Sequence, residues 1–215
     1  MPSVSPAASD HGDDRQIKVT LTEFIDFVTK CGSPKLTAVR TAKQNHTTKY
    51  DPKTDFYKSF RECVARMHIR QQPKVDLDAL LADLQDSKKS ANYPELVKGF
   101  CKFVKGRNLQ WSAPPRAEWT SGGLSVSVNP ELALSIDGKP HVIKMYLKTE
   151  KLTKFNVAIV NHLMELALRP TIDPAILGVL CVRKAKLHEL QPAPTGLTAL
   201  LQGEAATFAE IYRES

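Results

Sequence analysis

The chain has 215 residues, enough for one large domain or two small ones with a sizeable core. Its 42% hydrophobic and 25% charged content is ordinary for a globular protein, and no apolar run approaches the roughly 20 residues that a bilayer-spanning helix needs. Thirty Lys and Arg against 23 Asp and Glu leave a net charge of +7, compatible with a polyanionic partner such as DNA or RNA without requiring one.

The opening MPSVSPAASDHGDD is polar and acidic, unlike a signal peptide or an amphipathic transit peptide, and reads as a disordered tail over residues 1–15. A helix is expected from Thr20 or Thr22 to about Lys30, with Phe24, Phe27 and Val28 on one stripe and Gly32 as its stop. Residues 35–49 hold Lys35, Arg40, Lys43, His46 and Lys49 with no acid, and read as an exposed basic loop. A second helix is expected to start at Asp51-Pro52 and run to about Ile69, closed by Pro73. A short one follows from Asp76 or Asp78 to Leu84, and another over residues 94–105, ended by Gly106.

The pattern changes at Arg107. Residues 108–114 suit a short strand, and 115–123 a loop. Over 124–136 the alternation is nearly faultless, with Leu124, Val126, Val128, Leu132, Leu134 and Ile136 facing one way. Asp137-Gly138 is a type I′ turn signal, and 141–148 form the return strand, while Pro130 suggests a bulge or an edge. An amphipathic helix over 153–168, an apolar strand over 176–182, its partner over 185–190 and a last helix over 195–213 complete the chain. The fold class is therefore α+β, a helical N-terminal half followed by a β-meander, helix and strand-pair core. Residues 16–90 form the helical region and 91–215 the core, or 16–215 form one compact domain.

The hairpin places Glu131 opposite Lys144, Asn129 opposite Tyr146 and Ser127 opposite Lys148, all on one polar face. As plain structure this is a cross-strand ion pair on a solvated sheet, contributing a few tenths of a kcal/mol. In layout, the stretch NPELALSIDGKPHVIKMYLKT resembles the PD-(D/E)XK, or restriction-endonuclease-like, nucleases over about residues 93–190. The resemblance implies an αβββαβ core in which an acid on the second strand and a D/E-x-K on the third hold a metal ion and its attacking water. It implies Glu131 as catalytic acid and metal ligand, Lys148 as the lysine and Mg²⁺ as the ion. The second acid position holds Tyr146, which cannot ligate a hard cation as a carboxylate does. A relocated acid, Glu150 or Glu95, could restore the site.

The leading expectation is a nucleic-acid-associated protein with a catalytically degenerate core, contacting phosphates through Lys35, Arg40, Lys43, Lys49, Lys144, Tyr146 and Lys148. One alternative is a metal-dependent nuclease using Glu131 and Lys148. The other is a protein-interaction or assembly module with an exposed apolar patch. Lys98, Lys102 and Lys105 share the polar side of a helix and extend the basic surface. Trp111 and Trp119 either stack a base or pack a loop on the sheet, and His162 reads as a surface or satisfied histidine. Cys31, Cys63, Cys101 and Cys181 are too widely spaced for a CxxC metal site and suit buried thiols in a reducing, cytoplasmic compartment. No GxSxG, phosphate-binding glycine loop, GxGxxG or HExxH occurs.

Overall fold

The computed structural model describes residues 16–47, 55–70 and 73–215; the tail at 1–15, Lys49 and the helix start at Asp51-Pro52 lie outside them. Strand β1 (Ile17–Thr20) runs straight into helix α1 (Leu21–Val28). Thr20 and Glu23 form a capping box there, with the Thr20 hydroxyl accepting from the Glu23 N–H and the Glu23 carboxylate from the Thr20 N–H. The basic stretch that reads as a loop is helix α2 (Ser33–Thr47). Only Val39 and Ala42 of it are buried, so its apolar stripe is too thin to register as helical periodicity.

Helices α3 (Lys58–Arg70), α4 (Pro73–Ala82) and α5 (Ser87–Val104) follow. Pro73 opens α4 rather than merely closing its predecessor, since a first-turn proline gives up no helical hydrogen bond. Helix α5 starts well before Pro94, capped by Asp86, whose side chain accepts from the Lys88 and Lys89 N–H groups. Pro94 then sits inside it, where buried Tyr93, Leu96, Val97 and Phe100 hold the helix through the lost hydrogen bond.

The strands are β2 (Leu109–Ser112), β3 (Ala117–Ser121), β4 (Leu124–Val128), β5 (Leu132–Ile136), β6 (Lys139–Tyr146), β7 (Ile176–Cys181) and β8 (Lys186–Glu189). Helix α6 (Lys154–Leu168) lies between β6 and β7, and α7 (Leu197–Glu214) ends the chain. The long strand expected over 124–136 is two strands in two different sheets. At Pro130 the chain leaves one sheet for the other, because proline cannot donate to a ladder and β4 is taken up elsewhere. β4 pairs in parallel with β1 and antiparallel with β3, in the order β1-β4-β3. Both β1 and β3, the latter within the stretch expected to be a loop, are thus strands that the pattern alone does not reveal.

The second sheet has the order β2-β5-β6-β7-β8, antiparallel except for the parallel β6–β7 pair bridged by α6. The Asp137-Gly138 turn is as expected, with φ of 51° and 84° and Ile136 paired with Lys139. The fold is α+β. Alternate residues of the five-stranded sheet serve two cores. Leu132, Leu134, Ile136, Ile143, Met145, Leu147 and Leu180 pack against α3, α4 and α5. Val142, Leu177 and Val179 turn the other way, toward α6 and the elements around the three-stranded sheet. Helix α6 touches β7 on one side and β3 and β4 on the other, while α1 and α7 also pack on β4. Elements before residue 90 thus contribute to both cores.

Two glycines mark close backbone approaches. A Cβ on Gly99 of α5 would lie 2.0 Å from the Val182 carbonyl oxygen, in the 3₁₀ turn between β7 and β8. Gly122, at φ +54° in the β3–β4 turn, would put a Cβ 2.8 Å from the Ala206 backbone of α7. Gly99→Ala is expected to cost more than about 2 kcal/mol, because two backbones would have to part. Chemical denaturation of the purified variant checks this, and a loss below about 0.5 kcal/mol would contradict the packing described.

Candidate functional site

Glu131 begins the descent from the three-stranded into the five-stranded sheet, one residue before β5 pairs with β6. Its backbone N–H donates to the Ile143 carbonyl at 3.2 Å. Its carboxylate turns back onto β6, where Oε1 accepts from Lys144 Nζ at 2.5 Å and Oε2 from the Met145 N–H at 2.7 Å. Met145 lies beyond the last β5–β6 pair, so a side-chain oxygen replaces the carbonyl that a continuous strand would offer. Lys144 Nζ also donates to the Asn129 carbonyl at 3.0 Å. One lysine thereby holds both ends of the Asn129-Pro130-Glu131 crossing. The two side chains are only 18% and 16% exposed, so this pair is stronger than the solvated surface pair expected from the register.

The remaining pairings differ from the expectation. Ser127 pairs with Thr20 and Glu118, not with Lys148, and Asn129 meets β6 through its carbonyl at Lys144 rather than sitting opposite Tyr146. Lys148 Nζ instead reaches Asp26 of α1 at 3.0 Å, and Lys30 lies 3.6 Å from the same carboxylate. Between these pairs stands Tyr146, partly buried against the α6 core, its hydroxyl donating to the Glu150 carbonyl at 3.0 Å. Burial pushes its phenol above the usual tyrosine value, and the Glu150 carboxylate adds to that, so Tyr146 is a neutral hydrogen-bond donor. The polar side of β6 thus lies on the side of the sheet that also carries Val142 and faces α6.

Of the two relocated acids, Glu95 is engaged elsewhere, while Glu150 offers its backbone carbonyl to Tyr146. Glu95 pairs with Arg183 at 2.7 Å, and that guanidinium also donates to the Leu147 carbonyl at 3.1 Å and to Asn92 Oδ1 at 3.1 Å. Arg183 thereby ties α5, the end of β6 and the turn after β7 together. Among the described residues, no group of three or more His, Cys, Asp or Glu side chains could hold a metal ion.

The cations of α2 divide. Lys35 pairs with Glu204 of α7 and lies over the Phe27 ring, 4.5 Å from its centroid. Lys43 donates to the Tyr212 carbonyl at 2.8 Å and lies over the Tyr212 ring. Arg40 is exposed. Lys98 and Lys102 of α5 and Lys105 at its C-cap are exposed, on the side away from Phe100 and Phe103. Trp119 is buried 5.7 Å from the Phe24 ring and is a core residue, whereas Trp111 is half-buried beside the α3–α5 core. His162 is buried, its Nε2 at 2.8 Å from Thr198 Oγ1 and its Nδ1 without a partner. Among the described residues, the exposed large apolar side chains, Leu36, Phe155, Leu166 and Leu200, are spread over α2, α6 and α7. No helix among the described residues is long and apolar enough to cross a membrane.

Asp26 and Arg183 are the participants that sequence reasoning misses. Neither carries a local signal, since each meets its partner across the fold. A comparison with protein-family models finds no match, and a comparison with curated proteins finds none.

Removing Lys144 leaves the Glu131 carboxylate short of its charged partner. Lys144→Met is expected to cost about 2 kcal/mol. In a double-mutant cycle with Glu131→Gln, denaturation should return a coupling of at least about 1 kcal/mol. A coupling near zero would show that the two side chains act independently.

Proposed function

We propose that this chain is a nucleic-acid-associated protein whose restriction-endonuclease-like core binds without cleaving. The observation that carries the binding reading is the exposed row of Lys98 and Lys102 on α5 and Lys105 at its C-cap. At i, i+4 and i+7 the three ammonium groups follow one line along the helix, a spacing that suits successive phosphates of a backbone and carries no base information. Arg40 is a further exposed cation, whereas Lys35, Lys43, Lys144 and Lys148 each hold an internal partner. Phosphate contact therefore rests on the α5 row more than on the hairpin.

Two observations support a core without metal-dependent catalysis. Glu131 already receives Lys144 and the Met145 N–H, so a cation there would compete with a lysine at 2.5 Å. The position of the second acid is Tyr146, a neutral phenol. The helix, strands and helix α5, β2, β5, β6, α6 and β7, all built on one sheet, follow the order implied by the nuclease resemblance. That order supports a shared ancestry of the core, and the occupied acid supports loss of the reaction.

The test is binding of random-sequence single- and double-stranded oligonucleotides across a salt series. Affinity should fall steeply with salt, and a Lys98→Glu/Lys102→Glu/Lys105→Glu variant should lose at least about tenfold and flatten the salt slope by about 2 to 3. Absence of binding at low salt, or an unchanged slope in the variant, would refute the reading. Degradation of these substrates with Mg²⁺ or Mn²⁺, abolished by Glu131→Gln, would overturn the non-catalytic part.

A further inference from the structure

Strand β8 is an edge of the five-stranded sheet, with β7 on one side of it and no strand on the other. In an antiparallel ladder, successive residues turn their N–H and C=O groups alternately toward the partner strand and away from it. The Leu190 N–H donates to the Leu177 carbonyl at 2.7 Å, so Lys186, His188 and Leu190 are the residues whose backbones face β7. Leu187 and Glu189 therefore aim their N–H and C=O groups outward, and among the described residues these groups meet no hydrogen-bond partner. The strand is short and carries exposed Lys186 and Glu189, charges that restrict what can pair with it.

Beside this edge lies a cleft of about 510 Å³, with Leu187 and Ile136 as apolar walls on the side of the sheet that packs against α5. Arg107 and Lys139 stand at its turn end, the Arg107 guanidinium held 4.3 Å from the centroid of the Phe103 ring. Lys186 lies at the other end, because it pairs with Cys181 and Cys181 with Tyr146, seven positions along β6 from Lys139. At about 3.3 Å per residue the two ends are roughly 20 Å apart, too far to share one small anion. Exposed Lys184 adjoins Lys186, so the cations form two stations along an extended line. Asp137 and Glu189 are the opposing charges of the cleft, and Asp137 Oδ1 already accepts from the Asn108 N–H at 2.9 Å.

We infer that β8 is a docking edge for an extended acidic segment of a partner protein, which adds to the five-stranded sheet as a further strand. Its main chain bonds to Leu187 and Glu189, and its apolar side chains enter the cleft against Leu187 and Ile136. Its carboxylates meet Lys184 and Lys186 at one end and Arg107 and Lys139 at the other, a separation that a strand of about seven residues spans. A second copy of this chain is the poorer occupant. In an antiparallel pairing of two copies, outward residues face outward residues, which never sets Lys186 opposite Glu189. The edge shares no residue with the α5 row, so this inference stands or falls apart from the nucleic-acid reading.

Fluorescence anisotropy of the full chain with labelled peptides of about ten residues tests it. The probes are alternating aspartate and valine, alternating lysine and valine, and the acidic peptide N-methylated throughout. The acidic peptide should bind at least about tenfold more tightly than the basic one, and N-methylation should weaken it at least about tenfold by removing the main-chain donors. Lys184→Glu/Lys186→Glu, both at exposed positions, should lose at least about tenfold. Glu189→Pro, which removes one outward N–H and leaves the bonds to β7 in place, should also weaken binding, while the triple α5 variant should bind as the unaltered chain does. The bound acidic peptide should slow hydrogen exchange at the Leu187 and Glu189 amides, which a purely electrostatic attachment would not do. Equal affinity for the acidic and basic peptides, full affinity after N-methylation or in Lys184→Glu/Lys186→Glu, unprotected amides, or no binding at millimolar concentration would each overturn the inference. Self-association abolished by Glu189→Pro would give the edge to a second copy. Oligonucleotide binding abolished by Lys184→Glu/Lys186→Glu, with no peptide bound, would give it to nucleic acid, and either result overturns the inference as well.

Discussion

The architecture turns on a single crossing, Asn129-Pro130-Glu131, where the chain leaves one sheet and enters the other. Proline supplies no N–H and breaks the ladder, so the crossing needs another source of order. Lys144 provides it by reaching the Asn129 carbonyl and the Glu131 carboxylate together, while Glu131 satisfies the Met145 N–H. Because Val128 and Leu132 are both fully buried on either side, a slip of one residue here would misplace β4 or β5. The pair therefore has a structural role that is sufficient to explain why a carboxylate and a lysine stand there.

Much of the local structure is legible from the residues. The Asp137-Gly138 turn, the Thr20 cap, the α6 span and the β7–β8 pair follow from turn chemistry, capping and period. The two-sheet arrangement is not legible, for a specific reason. Val128 and Leu132 are four residues apart, so strand alternation continues in phase across the break and conceals it. Strand β3, with Trp119 as its one fully core-facing residue, and the four-residue β1 are too short to show a period. Helix α2 hides for the opposite reason, being polar nearly all round. At the candidate site, Glu131 and Lys144 are readable from register alone. Asp26 and Arg183 are not, because their partners lie far away in sequence.

The charge distribution separates cations that maintain the fold from those offered to solvent. Lys35, Lys43, Lys144, Lys148 and Arg183 each hold a helix or strand to a distant neighbour. Part of the cation count read from composition is thus engaged within the fold. What remains outside on α5 and around the sheet's turn end determines which anions the surface attracts.

Strand β1 has a consequence for how the protein is made. Ile17 pairs in parallel with Leu124, so β1 is made roughly a hundred residues before the partner it needs. Until then Ile17 and Val19, both buried in the finished fold, remain uncovered. Closing so long a loop costs entropy before any contact rewards it, which makes the three-stranded sheet a late event in folding. Loss of β1 by proteolysis would in turn leave β4 with a bare edge, an invitation to pair with another chain.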